Sequence, residues 1–398
     1  MSIANSSRRF VFATLLVAAT LLVFTLCAAA QQNLVYINAN ITTANQNGVI
    51  ALVNDGAGNL TPLAGSPFLT GGTGVGPAAG GTDFQWDSDQ EVAINAAGTL
   101  LFAVNGHSNT VASFTINADG TLTPNAGSPF ASGGPQPASI GYRDNALGNG
   151  VSMMVVVNKD SDPLQTATNP NYTAFAVSAA GKLNKSATNF PLPAGSSPAQ
   201  ALFRPNGPVQ FFGMEFMKQT ITSYSLNRAG AMSVVNSLTP PGAAPVIVGG
   251  VAIPNVRGFY IGLPAQHQVG VYSYNSTGTM TFLREVNNTG MAICWLAMNA
   301  AGNRLYTSET ASGTISVYDT TTTTNPKLLQ HLSVSGTGAL PTHMKVDPTG
   351  KFLYVLDRVG VLHVFDIAVD GTVAENHTPF NLGLPAGTVP LGVSVLMK

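Results

Sequence analysis

Residues 58–68 read GNLTPLAGSPF, and residues 120–130 read GTLTPNAGSPF. The opening glycine turn of this string returns in shorter form at Gly181-Lys182-Leu183, Gly230-Ala231-Met232, Gly278-Thr279-Met280 and Gly371-Thr372-Val373. Asn325-Pro326-Lys327 fills the remaining gap without a glycine. Seven turns, mostly 45 to 62 residues apart, indicate an array of similar units.

Each unit reads as four short strands. In the clearest copy, His343–Val346 makes a first strand and Asp347-Pro348-Thr349-Gly350 a tight turn. Proline presets φ in such a turn and glycine supplies the positive φ. Lys351–Leu356 and Val361–Ile367 follow as second and third strands, rich in the aliphatic and aromatic residues that strands favour. Val369-Asp370-Gly371-Thr372 then turns into the fourth. The pattern repeats in Trp295–Met298, Arg304–Ser308 and Thr314–Asp319, and in Val92–Ile94, Leu100–Val104 and Thr110–Ile116. Beyond the first thirty residues no stretch sustains a 3.6-residue period.

Four-stranded units repeated radially are the blades of a β-propeller. Asn33–Ile37 matches a second strand, and Leu391–Leu396 an unattached first strand. The expected fold is therefore all-β, a seven-bladed propeller of four-stranded antiparallel blades. Its C-terminal strand joins the N-terminal blade, closes the ring and leaves no long bare edge. The expected blades are 389–398 with 33–68, then 89–130, 137–193, 198–238, 246–286, 292–335 and 341–384.

Residues 1–30 read as a signal peptide: Arg8-Arg9, an apolar run Phe10–Leu26, then Ala28-Ala29-Ala30. The single propeller domain is then 31–398, in the secreted or periplasmic space and without a membrane span after cleavage. Only Cys294 remains, so no internal disulfide is expected. Just 9% of residues are charged, 17 basic against 18 acidic, and no basic patch argues for nucleic acid. A monomer is expected.

In a propeller, the loops from outer strand to next inner strand share a face with the second-to-third strand loops. Second-strand ends at Asn40, Asn105, Asn158-Lys159, Glu215, Glu309 and Asp357-Arg358 should meet there. First-strand starts at Asp89, Arg143 and His343 should join them. Asn105, Asn158 and Glu215 are the candidate substrate-binding residues of this ring. Residues 69–90 form a long insertion that would place Trp86 over the channel mouth, to stack on a sugar. The six histidines show no paired ligand spacing, so neither metal nor cofactor is expected. No Gly-x-Ser-x-Gly elbow is present.

The seven units, the GxLTPxAGSPF turns and the run Pro341-Thr342-His343-Met344-Lys345-Val346-Asp347 resemble the lactonase-type seven-bladed propellers. That family includes propeller-type 6-phosphogluconolactonases and carboxymuconate cyclases. The resemblance implies a metal-independent lactone hydrolase with His343 as base, Glu309 as its orienting partner and Arg358 as oxyanion or substrate clamp. Glu309 stands one residue early for the family pattern, and Ile293-Cys294-Trp295 replaces an Arg-His pair. The alternative is a noncatalytic propeller that binds a glycan, an envelope component or a protein.

Overall fold

The computed structural model describes residues 32–78, 84–185, 189–242 and 246–398; the expected signal peptide lies outside them. Seven antiparallel sheets form the seven blades of one propeller. Their inner strands, from blade 1 to blade 7, are Leu391–Met397, Val92–Ile94, Pro137–Gly148, Pro198–Phe203, Gly250–Ala252, Ile293–Met298 and Pro341–Val346. Among the described residues, no helix is long and apolar enough to cross a membrane.

Closure takes the expected form. Asn33–Asn38 pairs with Gly48–Asn54 on one side and with Leu391–Met397 on the other. The backbones of Gln32 and Lys398 extend the clasp with reciprocal bonds of 2.8 and 3.0 Å.

The fourth strands divide into two groups. In blades 1, 2, 3 and 7 the outer strand is split, as Leu60–Pro62 and Phe68–Leu69 in blade 1. Prolines such as Pro62 and Pro67 donate no ladder hydrogen bond and break the pairing. Blades 4, 5 and 6 keep unbroken outer strands at Met232–Leu238, Met280–Asn287 and Lys327–Ser333.

The core is a series of inter-blade seams. Leu34, Tyr36 and Ala51 of blade 1 pack against Leu101, Ala103 and Phe114 of blade 2, and equivalent clusters follow around the ring. Each large side chain buried in this way contributes roughly 1.5–3 kcal/mol.

The repeated turn has a structural reason. Gly58, Gly120 and Gly371 adopt φ of 93°, 88° and 86°, a region that only glycine enters readily. The turn also receives the preceding blade. Tyr36 Oη donates to Gly120 O at 2.7 Å, Tyr260 Oη to Thr323 O at 2.7 Å and Tyr306 Oη to Gly371 O at 3.1 Å. Gln210 Nε2 does the same to Thr277 O at 2.6 Å. A buried tyrosine needs a partner for its hydroxyl, and the third-to-fourth strand turn of the next blade supplies it.

Candidate functional site

The channel mouth is not open. Residues 84–91 cross it, beginning with a 3-10 turn at Phe84–Trp86. Four blades hold this plug. Lys159 Nζ of blade 3 donates to Asp87 O at 2.9 Å and to Ser197 O at 3.2 Å. Asp89 N reaches Ala199 O of blade 4 at 3.2 Å. Ser88 O accepts from Trp295 Nε1 of blade 6 at 2.6 Å and from His343 Nε2 of blade 7 at 3.0 Å. Arg358 pairs with the Asp87 carboxylate and lies over the Trp295 ring at 5.7 Å. The cations that the fold gathers at this mouth are thus already occupied by the chain itself. Burial lowers the Lys159 pKa to about 8, with Asp87 and Glu91 opposing.

The plug separates the expected catalytic residues. Arg358 lies on its outer side, where it and Trp86 line a cavity of about 460 Å³ with Leu384 and Thr388. The Trp86 indole donates to Val75 O at 3.0 Å. His343 lies on the inner side, at the end of a cavity of about 450 Å³ that runs along the inner strands. That cavity reaches the opposite face at Ala96, Asp144 and Pro348, all exposed.

Glu309 is not the partner of His343. Its carboxylate accepts from Thr307 Oγ1 at 2.5 Å, Asn288 Nδ2 at 2.9 Å and Thr314 Oγ1 at 2.9 Å, all within or beside blade 6. Burial raises its pKa and these bonds oppose the rise. Asn105, Asn158 and Glu215 are likewise turned into their own surroundings. Asn105 bonds Asn47, Thr70 and Thr110; Asn158 bonds Asn171 and Thr173; Glu215 accepts from Tyr224 Oη at 2.7 Å. The reason is common to all four. Each ends a second strand and is buried, and its polar group is hydrogen-bonded to a side chain of the adjoining third strand: Thr110, Asn171 and Thr173, Tyr224, and Thr314. Arg143 is carried away from the mouth and donates to the carbonyls of Gly207 and Pro208, each at 2.6 Å.

The structure brings other groups to His343. Glu91 Oε2 lies 3.0 Å from His343 Nε2, and Glu91 Oε1 accepts from Ser88 Oγ at 2.7 Å. Asp89, Glu91 and His343 each offer a ligand atom within 4.8 Å of the others. Gln200 Nε2 donates to Asp89 Oδ2 at 3.2 Å, and Lys345 lines the cavity beside it. Burial among these acids pushes the Asp89 carboxyl up to about 7, against the pull of His343. Burial drives the His343 pKa down, but Glu91, Asp89 and the Ser88 carbonyl together outweigh it, and the net shift is upward. Local spacing alone predicts no metal site. The fold nevertheless assembles a candidate from residues far apart in the chain.

Residues 258–387 match the family described as "Lactonase, 7-bladed beta-propeller". No curated protein matches the chain. Solved structures match nearly all of it. A protein from Lactobacillus plantarum is 16% identical, with 92% of this chain and 99% of that chain covered and a TM-score of 0.69. The periplasmic gluconolactonase of Pseudomonas aeruginosa gives the same four values. A proposed 6-phosphogluconolactonase from Bacteroides fragilis is 14% identical, with 93% and 99% covered and a TM-score of 0.69. At these identities the solved structures speak for the fold. They show a seven-bladed β-propeller, and within it residues 258–387 are similar to the lactonase-type propellers.

Proposed function

We propose that this protein is an exported lactone hydrolase that works as a monomer inside the channel, from the face opposite the plug. The observation that carries this reading is the Asp89–Glu91–His343 cluster at the inner end of the 450 Å³ cavity. Opening a lactone requires water to attack the carbonyl carbon. The water oxygen bonds to that carbon, a base takes its proton, the ring C–O bond breaks, and the ring oxygen gains a proton to leave a hydroxy acid. Asp89 serves as the base. His343 and Lys345 place positive charge beside the developing oxyanion, and Glu91 holds the imidazole. No arginine is among the described residues lining this cavity, which favours a neutral or carboxylated sugar lactone over a phosphorylated one. Export is supported by the composition of residues 1–30 and by the periplasmic location named for the Pseudomonas aeruginosa relative.

The test is a panel of five- and six-membered sugar lactones assayed with the wild type and with Asp89→Asn, His343→Gln and Arg358→Ala. The expected result is a loss of at least ~100-fold in kcat/KM for the first two. Full turnover in Asp89→Asn together with loss in Arg358→Ala would overturn the channel assignment. A second reading, a noncatalytic binder of a glycan or carboxylate, is favoured by the closed mouth and by the outer cavity that joins Trp86 to Arg358. Absence of turnover across the panel, with saturable sugar binding lost in Arg358→Ala, would select it.

A further inference from the structure

The geometry points to a first-row divalent cation, of the Mn²⁺ or Zn²⁺ class, held by Asp89, Glu91 and His343 at the inner end of the channel. Two carboxylates and one imidazole form a mixed oxygen and nitrogen donor set, which suits such ions better than Mg²⁺ or Ca²⁺. The three ligand atoms are already gathered within 4.8 Å of one another. The 3.0 Å between Glu91 Oε2 and His343 Nε2 corresponds to ~90° at a cation ~2.1 Å from each, an ordinary angle between adjacent ligands.

A second, independent observation concerns unmet polar atoms. Glu91 and His343 are both more than nine-tenths buried. Glu91 Oε2 has no hydrogen-bond donor, and its 3.0 Å neighbour His343 Nε2 is turned to Ser88 O, so ligation through Nε2 requires the imidazole to give up that bond and carry its proton on Nδ1. His343 Nδ1 has none either. A buried carboxylate oxygen without a donor is costly, and a cation satisfies it. The supporting shell is also present: Ser88 Oγ orients the other Glu91 oxygen, and Gln200 Nε2 orients Asp89. The cavity provides the route for the ion from the opposite face. Lys345 also lines the cavity, and its charge opposes a high positive charge here.

For the chemistry, this inference rests on the proposed hydrolase: the cation would take over from His343 the role of polarising the carbonyl and would ease deprotonation of the attacking water. Metal binding is tested without substrate. The protein is stripped with EDTA and titrated calorimetrically with MnCl₂ and with ZnCl₂, using the wild type, Asp89→Asn, Glu91→Gln and His343→Gln. The expected result is one equivalent bound by the wild type with at least ~10-fold weaker binding in the variants. Circular dichroism identifies any variant that fails to fold, and the folded ones then decide the comparison. No binding by the wild type at millimolar metal, or unchanged binding in the folded variants, overturns the inference. Metal binding without turnover would overturn the hydrolase and leave the site standing. Turnover that depends on Asp89 but survives EDTA would overturn the metal and leave the hydrolase standing.

Discussion

Replacing Lys159 by methionine separates the two things this buried lysine does. Its ammonium ties the plug to Asp87 O and Ser197 O, yet burial holds its pKa at about 8 against an ordinary 10.5. A lysine whose pKa is depressed by folding opposes folding when charged, and this penalty is fully present below pH 8. It fades as the pH rises from 8 towards 10.5, because the unfolded chain still binds the proton there and the folded one does not. Between pH 7 and 9.5 the relief amounts to about 2 kcal/mol, at about 1.4 kcal/mol per pKa unit. Lys159→Met removes this slope. At pH 7 its effect on stability is the balance of two opposed quantities. The charge penalty disappears, and two carbonyls lose their donor at roughly 1–3 kcal/mol each. The slope therefore carries the test. Urea unfolding of both proteins at half-unit steps from pH 7 to 9.5 reads it directly, and tyrosine ionisation in the unfolded chain cancels in the comparison. Parallel profiles would refute the assignment of a charged, desolvated Lys159 as a plug anchor.

Gly262→Ala, in the second strand of blade 5, should destabilise by roughly 1–3 kcal/mol or more, because its Cβ would lie 2.3 Å from Ile293 O of blade 6. Gly350→Ala should cost only about 1 kcal/mol, since φ there is +72° but nothing lies within 4 Å; thermal denaturation ranks the pair, and equal losses would contradict the close approach of blades. His363 and Glu375 form a buried pair with a 2.6 Å contact. For His363, burial lowers the pKa but Asp357 and Glu375 raise it overall, whereas for Glu375 burial raises it but His363 and Ser335 lower it overall. The His363 contribution is complete below pH 6.5 and fades as pH rises through its elevated pKa. The Glu375 contribution is complete above pH 4.5 and fades as pH falls through its lowered pKa. The wild type's stability advantage over His363→Gln should accordingly peak between these values, and a flat difference from pH 4 to 9 would disprove the pairing.

The ring was legible because its determinants are local. Glycine turns recur at the third-to-fourth strand corner, and Asp347-Pro348-Thr349-Gly350 and Asn299-Ala300-Ala301-Gly302 mark the first-to-second corner. Strand limits follow from them: Val361–Ile367 and Thr110–Ile116 hold to the residue. The mouth was legible only in position. Residues at second-strand ends do gather on that face, but whether a side chain turns into the mouth or back into its blade depends on the third strand beside it. Thr314 draws Glu309 back, and Tyr224 draws Glu215. The plug carries no periodic signal. In the sequence its aspartates are indistinguishable from loop charges, because the partners of its backbone come from blades 3, 4, 6 and 7. Asp89 and Glu91 gain their neighbour His343 only when the ring closes, and no local spacing can register that.

The clasp in blade 1 also imposes an order on the molecule's assembly. Residues 391–397 are made after all six other blades, yet they complete the first blade and bury the edge of Asn33–Asn38. Until they are made, a nascent chain has six blades and an unfinished seventh whose inner edge is bare. The seam between blades 7 and 1, which holds Tyr354 and Val35, lacks Val393 during this time. Docking of this one strand then joins residues separated by nearly the whole sequence, a contact of the kind that slows folding. Blades 2 to 7 can assemble as synthesis proceeds, but the ring, and with it the closed channel end that holds His343 against Glu91, comes into being in a single late step.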